Sequence, residues 1–170
     1  IRRERKGKCL PGRTFTKPQE WSLGLIFLVS HFIFDCRVAP SGCEYYNRNE
    51  SLIMAVNETM EKVFGVTSKI YPRDFGVKQL RYYYVELRDF IRNKILELPN
   101  YIRTAIIAEK KVFLQSFFDD EGSVHFEKRL VRGYQHNLDI LRLVRKLLLD
   151  FGIESKIDER QWLARTGSLR

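Results

Sequence analysis

The chain has 170 residues, 44% of them hydrophobic and 13% aromatic, which is enough apolar material for one compact unit and excludes a disordered chain. Thirty Lys and Arg against 21 Asp and Glu leave a net charge of +9 and a pI near 9.6, a balance that selects a polyanionic partner, nucleic acid or an acidic membrane surface. Cys9, Cys36 and Cys43 make an odd count, which argues against a secreted disulfide framework and for an intracellular, cytoplasmic setting.

The basic start, Ile1 to Lys8, followed by the apolar run Leu23 to Phe34, imitates a signal peptide. Glu20 and Trp21 immediately before the run, the length of the basic region and an apolar stretch of only about a dozen residues argue against a leader and against a membrane span. Residues 1–20 therefore read as a basic extension. The run itself reads as a helix, followed by strands near Phe32 to Val38 and Cys43 to Asn47 around Ala39-Pro40-Ser41-Gly42, where Cys36 and Cys43 could face each other. An amphipathic helix spans Ser51 to Val63 and ends at Gly65. Strands near Thr67 to Pro72 and Lys78 to Val85 are separated by Asp74-Phe75-Gly76, and Tyr82-Tyr83-Tyr84-Val85 has strong β preference. A helix from Leu87 to Glu97 closes residues 21–98. Pro99 and Asn100 mark a linker over 99–109, with a short helix near Ile102 to Ala108.

From residue 110 the order repeats. Phe64-Gly65-Val66-Thr67-Ser68-Lys69-Ile70 recurs as Phe151-Gly152-Ile153-Glu154-Ser155-Lys156-Ile157, identical except at the third and fourth places, and each copy follows an amphipathic helix, the second over Leu138 to Asp150. Strands are expected near Ser123 to Glu127, Val131 to His136 and Ser155 to Arg160. No counterpart of the Leu87 helix follows, so the second half, 110–170, reads as clipped.

One segment carries chemistry. Phe113-Leu114-Gln115-Ser116-Phe117-Phe118-Asp119-Asp120-Glu121-Gly122-Ser123-Val124 is an apolar helix that ends on three carboxylates and a glycine. A helix C-terminus is the negative end of the macrodipole and disfavours each acid there by up to about 1 kcal/mol, so the cluster calls for a cation or for full solvation. Mg²⁺ is suited to such a place, because it takes one or two carboxylates together with substrate phosphate.

Leu114 to Gly122, running on into Ser123-Val124, resembles the signature helix of the LAGLIDADG homing endonucleases, in the two-motif, single-chain, archaeal-type form. The resemblance implies an α+β fold of two pseudo-symmetric αββαββα repeats with a concave antiparallel-sheet saddle for nucleic acid, a monomer built as a pseudo-dimer. It implies Mg²⁺-dependent hydrolysis of double-stranded DNA, with Glu121 as catalytic acid and metal ligand and Asp120 beside it. Lys69 and Lys156 are the candidates for the basic residue that the family carries near its site. The earlier motif is sought in Ser22-Leu23-Gly24-Leu25-Ile26-Phe27-Leu28-Val29-Ser30, where Val29 stands at the acidic position and Gly24 allows close helix approach. On that reading one acid is missing, and activity is impaired or limited to nicking; Asp35, further on, could substitute only if strand geometry allowed it. The alternative is an inactive relic that binds DNA or structured RNA, ribosomal RNA or an intron included.

Alternation along the strands places basic side chains on one sheet face. The candidates are Arg37, Arg48, Lys69, Arg73, Lys78 and Arg81 in the first half and Lys128, Arg129, Arg132, Gln135, Lys156 and Arg160 in the second, with Tyr45, Tyr82, Tyr84, Tyr134 and His136 as further polar contacts. Arg and Gln suit base edges and Lys suits phosphate. His125 and His136 read either as proton shuttles or as hydrogen-bonded strand histidines.

Overall fold

The computed structural model describes residues 15–158; Cys9, Arg160 and most of the basic extension lie outside them. Helix α1 (Leu23–Phe34) starts at Ser22, whose hydroxyl accepts from the Leu25 amide at 3.2 Å. It leads directly into a hairpin of β1 (Cys36–Ala39) and β2 (Gly42–Asn47), then α2 (Glu50–Phe64), β3 (Tyr71–Pro72), a short 3-10 turn (Asp74–Gly76), β4 (Lys78–Tyr82) and α3 (Val85–Thr104). The second half repeats the opening of this order with α4 (Ile107–Glu121), β5 (Gly122–His125), β6 (Leu130–Gly133) and α5 (Leu138–Asp150).

The first half forms an antiparallel sheet in the order β1-β2-β4-β3, and the second a two-stranded hairpin, β5-β6. Cys43, Tyr45, Leu80 and Tyr82 turn one face of the larger sheet into the core, against α1, α2 and α3. Arg37, Glu44, Tyr46, Gln79 and Arg81 alternate with them and occupy the outer face. Tyr45 and Tyr82, expected as polar contacts, are therefore fully buried core residues.

The repeat is structural. Asn49 caps α2 by accepting from the Ser51 and Leu52 amides, and Asn137 caps α5 in the same way on Asp139 and Ile140. Each helix is followed by a glycine at positive φ, Gly65 at 70° and Gly152 at 73°.

Several boundaries differ from the sequence expectation. The helix that begins at Val85 runs through Pro99 to Thr104 and α4 begins at Ile107, so the short helix expected near Ile102 to Ala108 is divided between the two; Leu87, Ile91, Leu98 and Ile102 are all fully buried, and this continuous apolar stripe outweighs the missing Pro99 amide. Residues 66–70 and 153–158, expected as strands at least in part, have no regular structure, and β3 is only two residues long. Most consequentially, α1 extends to Phe34 where a strand was expected from Phe32, which moves the foot of this helix to Asp35.

Candidate active site and nucleic-acid interface

Helices α1 and α4 pack side by side more extensively than any other pair of elements. Their seam is apolar at one end, where Phe34 meets the rings of Phe113 and Phe117 at 5.7 and 5.4 Å. Ser30 and Ser116 are both buried, and each folds its hydroxyl back onto its own helix, onto Ile26 O at 2.7 Å and Val112 O at 3.1 Å. Gly24 does not belong to this seam: a Cβ there would meet Val63 and Thr59 of α2.

Both helices end on an acid and pass straight into a strand: Asp35 before Cys36 of β1, Glu121 before Gly122 of β5. Gly122 is demanded by space, since a Cβ would lie 2.2 Å from the Phe118 carbonyl oxygen. Burial first, then the charges of Asp35 and Asp120, push the Glu121 carboxyl up to about 7. Burial and the charge of Asp120 raise Asp35 to about 6, against the opposing pull of His31 and a hydrogen bond from Asn47. Two acids thus stand near enough to repel each other in a partly desolvated cleft.

Val29, expected at the first acidic position, lies well inside α1 and is fully buried, short of the acid that follows the end of this helix. The register set by the two helix ends aligns Leu28-Val29-Ser30-His31-Phe32-Ile33-Phe34-Asp35 with Leu114-Gln115-Ser116-Phe117-Phe118-Asp119-Asp120-Glu121, sharing Leu, Ser, Phe and a final acid. The helix was expected to end too early, and this hid the match.

Asp120, expected to share a metal with Glu121, is turned into the seam, its side chain wholly shielded from solvent. It accepts from His31 Nδ1 at 2.7 Å, the Tyr45 hydroxyl at 2.9 Å and Asn47 Nδ2 at 3.1 Å. Those three donors occupy its oxygens. Asn47 Nδ2 also lies 3.3 Å from Asp35 Oδ2, so one amide links the buried acid to the cleft. Just after β6, beside the foot of α4, Gln135 donates to Glu121 Oε1 at 3.1 Å, while its own oxygen takes the His136 and Asn137 amides. Gln135, expected among the nucleic-acid contacts, is thus held both to Glu121 and to its own turn.

Lys69 and Lys156 are exposed on irregular segments, and neither figures among the charges that set Asp35 or Glu121. Lys78 points away from the outer face and pairs with Glu50 at 2.6 Å. Arg37, Arg73 and Arg81 do gather on the outer face of the larger sheet: the charges of Arg73 and Arg37 both act on the Tyr46 hydroxyl there. Arg48 is exposed beyond the end of β2, Lys128 and Arg129 form the tip of the β5-β6 hairpin, and Arg132 stands opposite Ser123. His125 lies exposed in β5. Among the described residues no group of three or more His, Cys, Asp or Glu side chains forms an all-protein metal cage, and no helix is long and apolar enough to cross a membrane.

A family model for the LAGLIDADG-like domain matches residues 108–168, the half that carries α4 and Glu121. Solved structures extend the likeness to both halves. Mesophilic variants of the homing endonuclease I-DmoI superpose with a TM-score of 0.59 at 19% identity, over 82% of this chain and 85% of theirs. The chain has the LAGLIDADG fold. I-DmoI in complex with DNA and Mn gives a TM-score of 0.58 at 19% identity, over 83% of this chain and 87% of that one. The N-terminal LAGLIDADG domain of DUF199/WhiA gives 0.60 at 17% identity, covering 85% and 74%. The comparison with curated proteins found no match.

Within this fold the first repeat is the complete αββαββα unit, and the second shows its opening αββα among the described residues. Sequence reasoning missed His31 and Asn47 and kept Asp35 only as a substitute acid. A signal for the last was present: the spacing between the two Phe-Gly pairs, applied backwards from Glu121, lands on Phe34, next to Asp35.

Proposed function

We propose that the chain is a LAGLIDADG-type DNA endonuclease in which Asp35 and Glu121 are the paired catalytic acids. The observation that carries this is the arrangement of two carboxylates, each at the foot of a seam helix and partly withdrawn from water, with the charge of Asp35 helping to hold the Glu121 proton on. Such a pair favours a cation. Its two oxygen-donor side chains, with no cage of further ligands among the described residues, suit an ion of the Mg²⁺ type that completes its shell with water and phosphate. Asp35 and Glu121 would hold it, and when bound it supplies activation of water and stabilisation of the leaving oxygen.

The chain's own residues prepare the cleft. Asn47 ties Asp35 to the buried Asp120, and Gln135 fixes one oxygen of Glu121. The outer sheet face with Arg37, Arg73 and Arg81, and the hairpin tip with Lys128 and Arg129, provide the positive surface for a duplex. The solved complex of I-DmoI with DNA and Mn supports both the partner and the use of a divalent ion. The test is cleavage of a randomised duplex library in Mg²⁺. The wild type makes double-strand breaks, whereas Asp35→Asn and Glu121→Gln each leave nicks at most. Double-strand cutting by Asp35→Asn at the wild-type rate would remove Asp35 from the site.

A binding-only relic, on DNA or structured RNA, is the reading that takes Val29 as the first acidic position, whereas the present proposal gives that position to Asp35. The smaller second sheet still favours the relic. Retention of duplexes or folded RNA with no metal-dependent cutting, in the same library experiment, would decide for it.

A further inference from the structure

Gln79 is fully buried on the outer face of the four-stranded sheet, among residues that are otherwise partly or fully exposed. Its amide oxygen accepts from Arg73 Nε at 2.7 Å and from Arg81 Nε at 2.9 Å. Its amide nitrogen donates to the Tyr46 hydroxyl at 2.7 Å, and that hydroxyl donates to Glu44 Oε2 at 2.6 Å. The Arg81 guanidinium is also stacked over the Tyr71 ring, 4.3 Å from its centre, and its backbone amide is held by Ser68 Oγ at 2.8 Å.

One buried acceptor thus pins two guanidinium groups by their inner nitrogens. Like charges brought to a single oxygen repel, and among the described residues neither arginine has a carboxylate within ion-pair distance. What each has left is the pair of terminal nitrogens, in a plane already fixed. A planar fork held this way matches the O6 and N7 acceptors of guanine.

A phosphate clamp would use the same charges, but the composition of the patch argues against one. Glu44 stands opposite both Arg37 and Arg81 in the sheet register. A carboxylate there repels phosphate, yet it accepts from the exocyclic amine of cytosine. Two donor forks beside an acid form a pattern for base edges.

We propose that Arg73 and Arg81, splayed by Gln79, read two guanines in the major groove of the target duplex and set the sequence preference of the first repeat. The inference rests on the DNA reading above. Selection from a randomised duplex pool without divalent ion, so that binding is scored and not cutting, tests it. The wild type enriches a consensus with two invariant guanines. Arg73→Ala loses discrimination at one of them and Arg81→Ala at the other, each by about tenfold or more. Gln79→Leu, verified as folded by its thermal melt, blurs both. Lys128→Ala, at the hairpin tip, weakens retention of every sequence and leaves the consensus intact. If Arg73→Ala and Arg81→Ala lower affinity uniformly while every consensus base survives, the arginines meet phosphate and the proposal fails. If the wild type enriches nothing, the DNA reading itself fails and takes this assignment with it.

Discussion

His31 Nδ1 lies 2.7 Å from Asp120 Oδ2 across the seam between α1 and α4, with both side chains shut off from solvent. His31 packs edge-on against Phe27 at 4.4 Å and Tyr45 at 5.8 Å, and its Nε2 has no partner among the described residues. The pair joins the two repeats directly. Removing either member strands the other in a low-dielectric interior, where the loss is typically about 3 kcal/mol or more. His31→Ala and Asp120→Ala are each expected to lower unfolding free energy by about that amount in urea titrations. The double change to Phe and Leu is expected to cost less than either, and single losses below about 1 kcal/mol would refute this account of the seam.

Val29→Asp discriminates between the two registers of the first motif. If Val29 stood at the acidic position, an acid there would improve metal binding. Buried with no exposed surface inside α1, an aspartate instead has no partner to offset desolvation and costs about 3 kcal/mol or more. Calorimetry should show a large drop in melting temperature and no gain in divalent-ion stabilisation.

Gly133→Ala tests the contact between β6 and the seam. An added Cβ would lie 2.3 Å from the Phe117 ring, whose side chain is itself buried. The ring or the strand must move, at a cost of about 1–3 kcal/mol, measurable as a shifted urea midpoint. An unchanged midpoint would mean that the second hairpin is loosely held.

Stability should depend on pH through the two cleft acids. Asp35 is raised from 3.8 to about 6 and Glu121 from 4.5 to about 7. The folded chain therefore binds these protons more tightly than the unfolded one, and the stability they contribute, complete below about pH 4, is lost as pH rises through 6 and 7. Asp35→Asn and Glu121→Gln escape this loss. Each variant should match the wild type near pH 4 and exceed it at pH 8 by about 1 kcal/mol, a figure reduced for partial exposure. Mg²⁺ should stabilise the wild type more at pH 8 than at pH 5.5, because it competes with those protons.

Much of this architecture was legible in the chain, and its limits have physical causes. The Phe-Gly repeat, the amphipathic helices before it and the acid-glycine step at Glu121 are local patterns, and each reappears as an element or its end. Pro99 misled because burial of Leu98 and Ile102 outweighs local propensity. The end of α1 was misplaced because Phe32, Ile33 and Phe34 suit a strand as well as a buried helix, and only packing against α4 decides between them. The His31–Asp120 pair could not be read at all. It joins residues that are far apart in the chain, and its donors come from two elements whose register is a tertiary fact.

The central claim is that Asp35 and Glu121 share one cleft, and carbon-13 NMR titration of the Glu121 side-chain carboxyl tests it most directly. In the wild type this group should titrate near 7; in Asp35→Asn it should titrate lower, yet still above the ordinary glutamate range because burial remains the larger cause. A Glu121 titration unchanged by Asp35→Asn would show that the two acids do not stand together, and the proposed site would be lost.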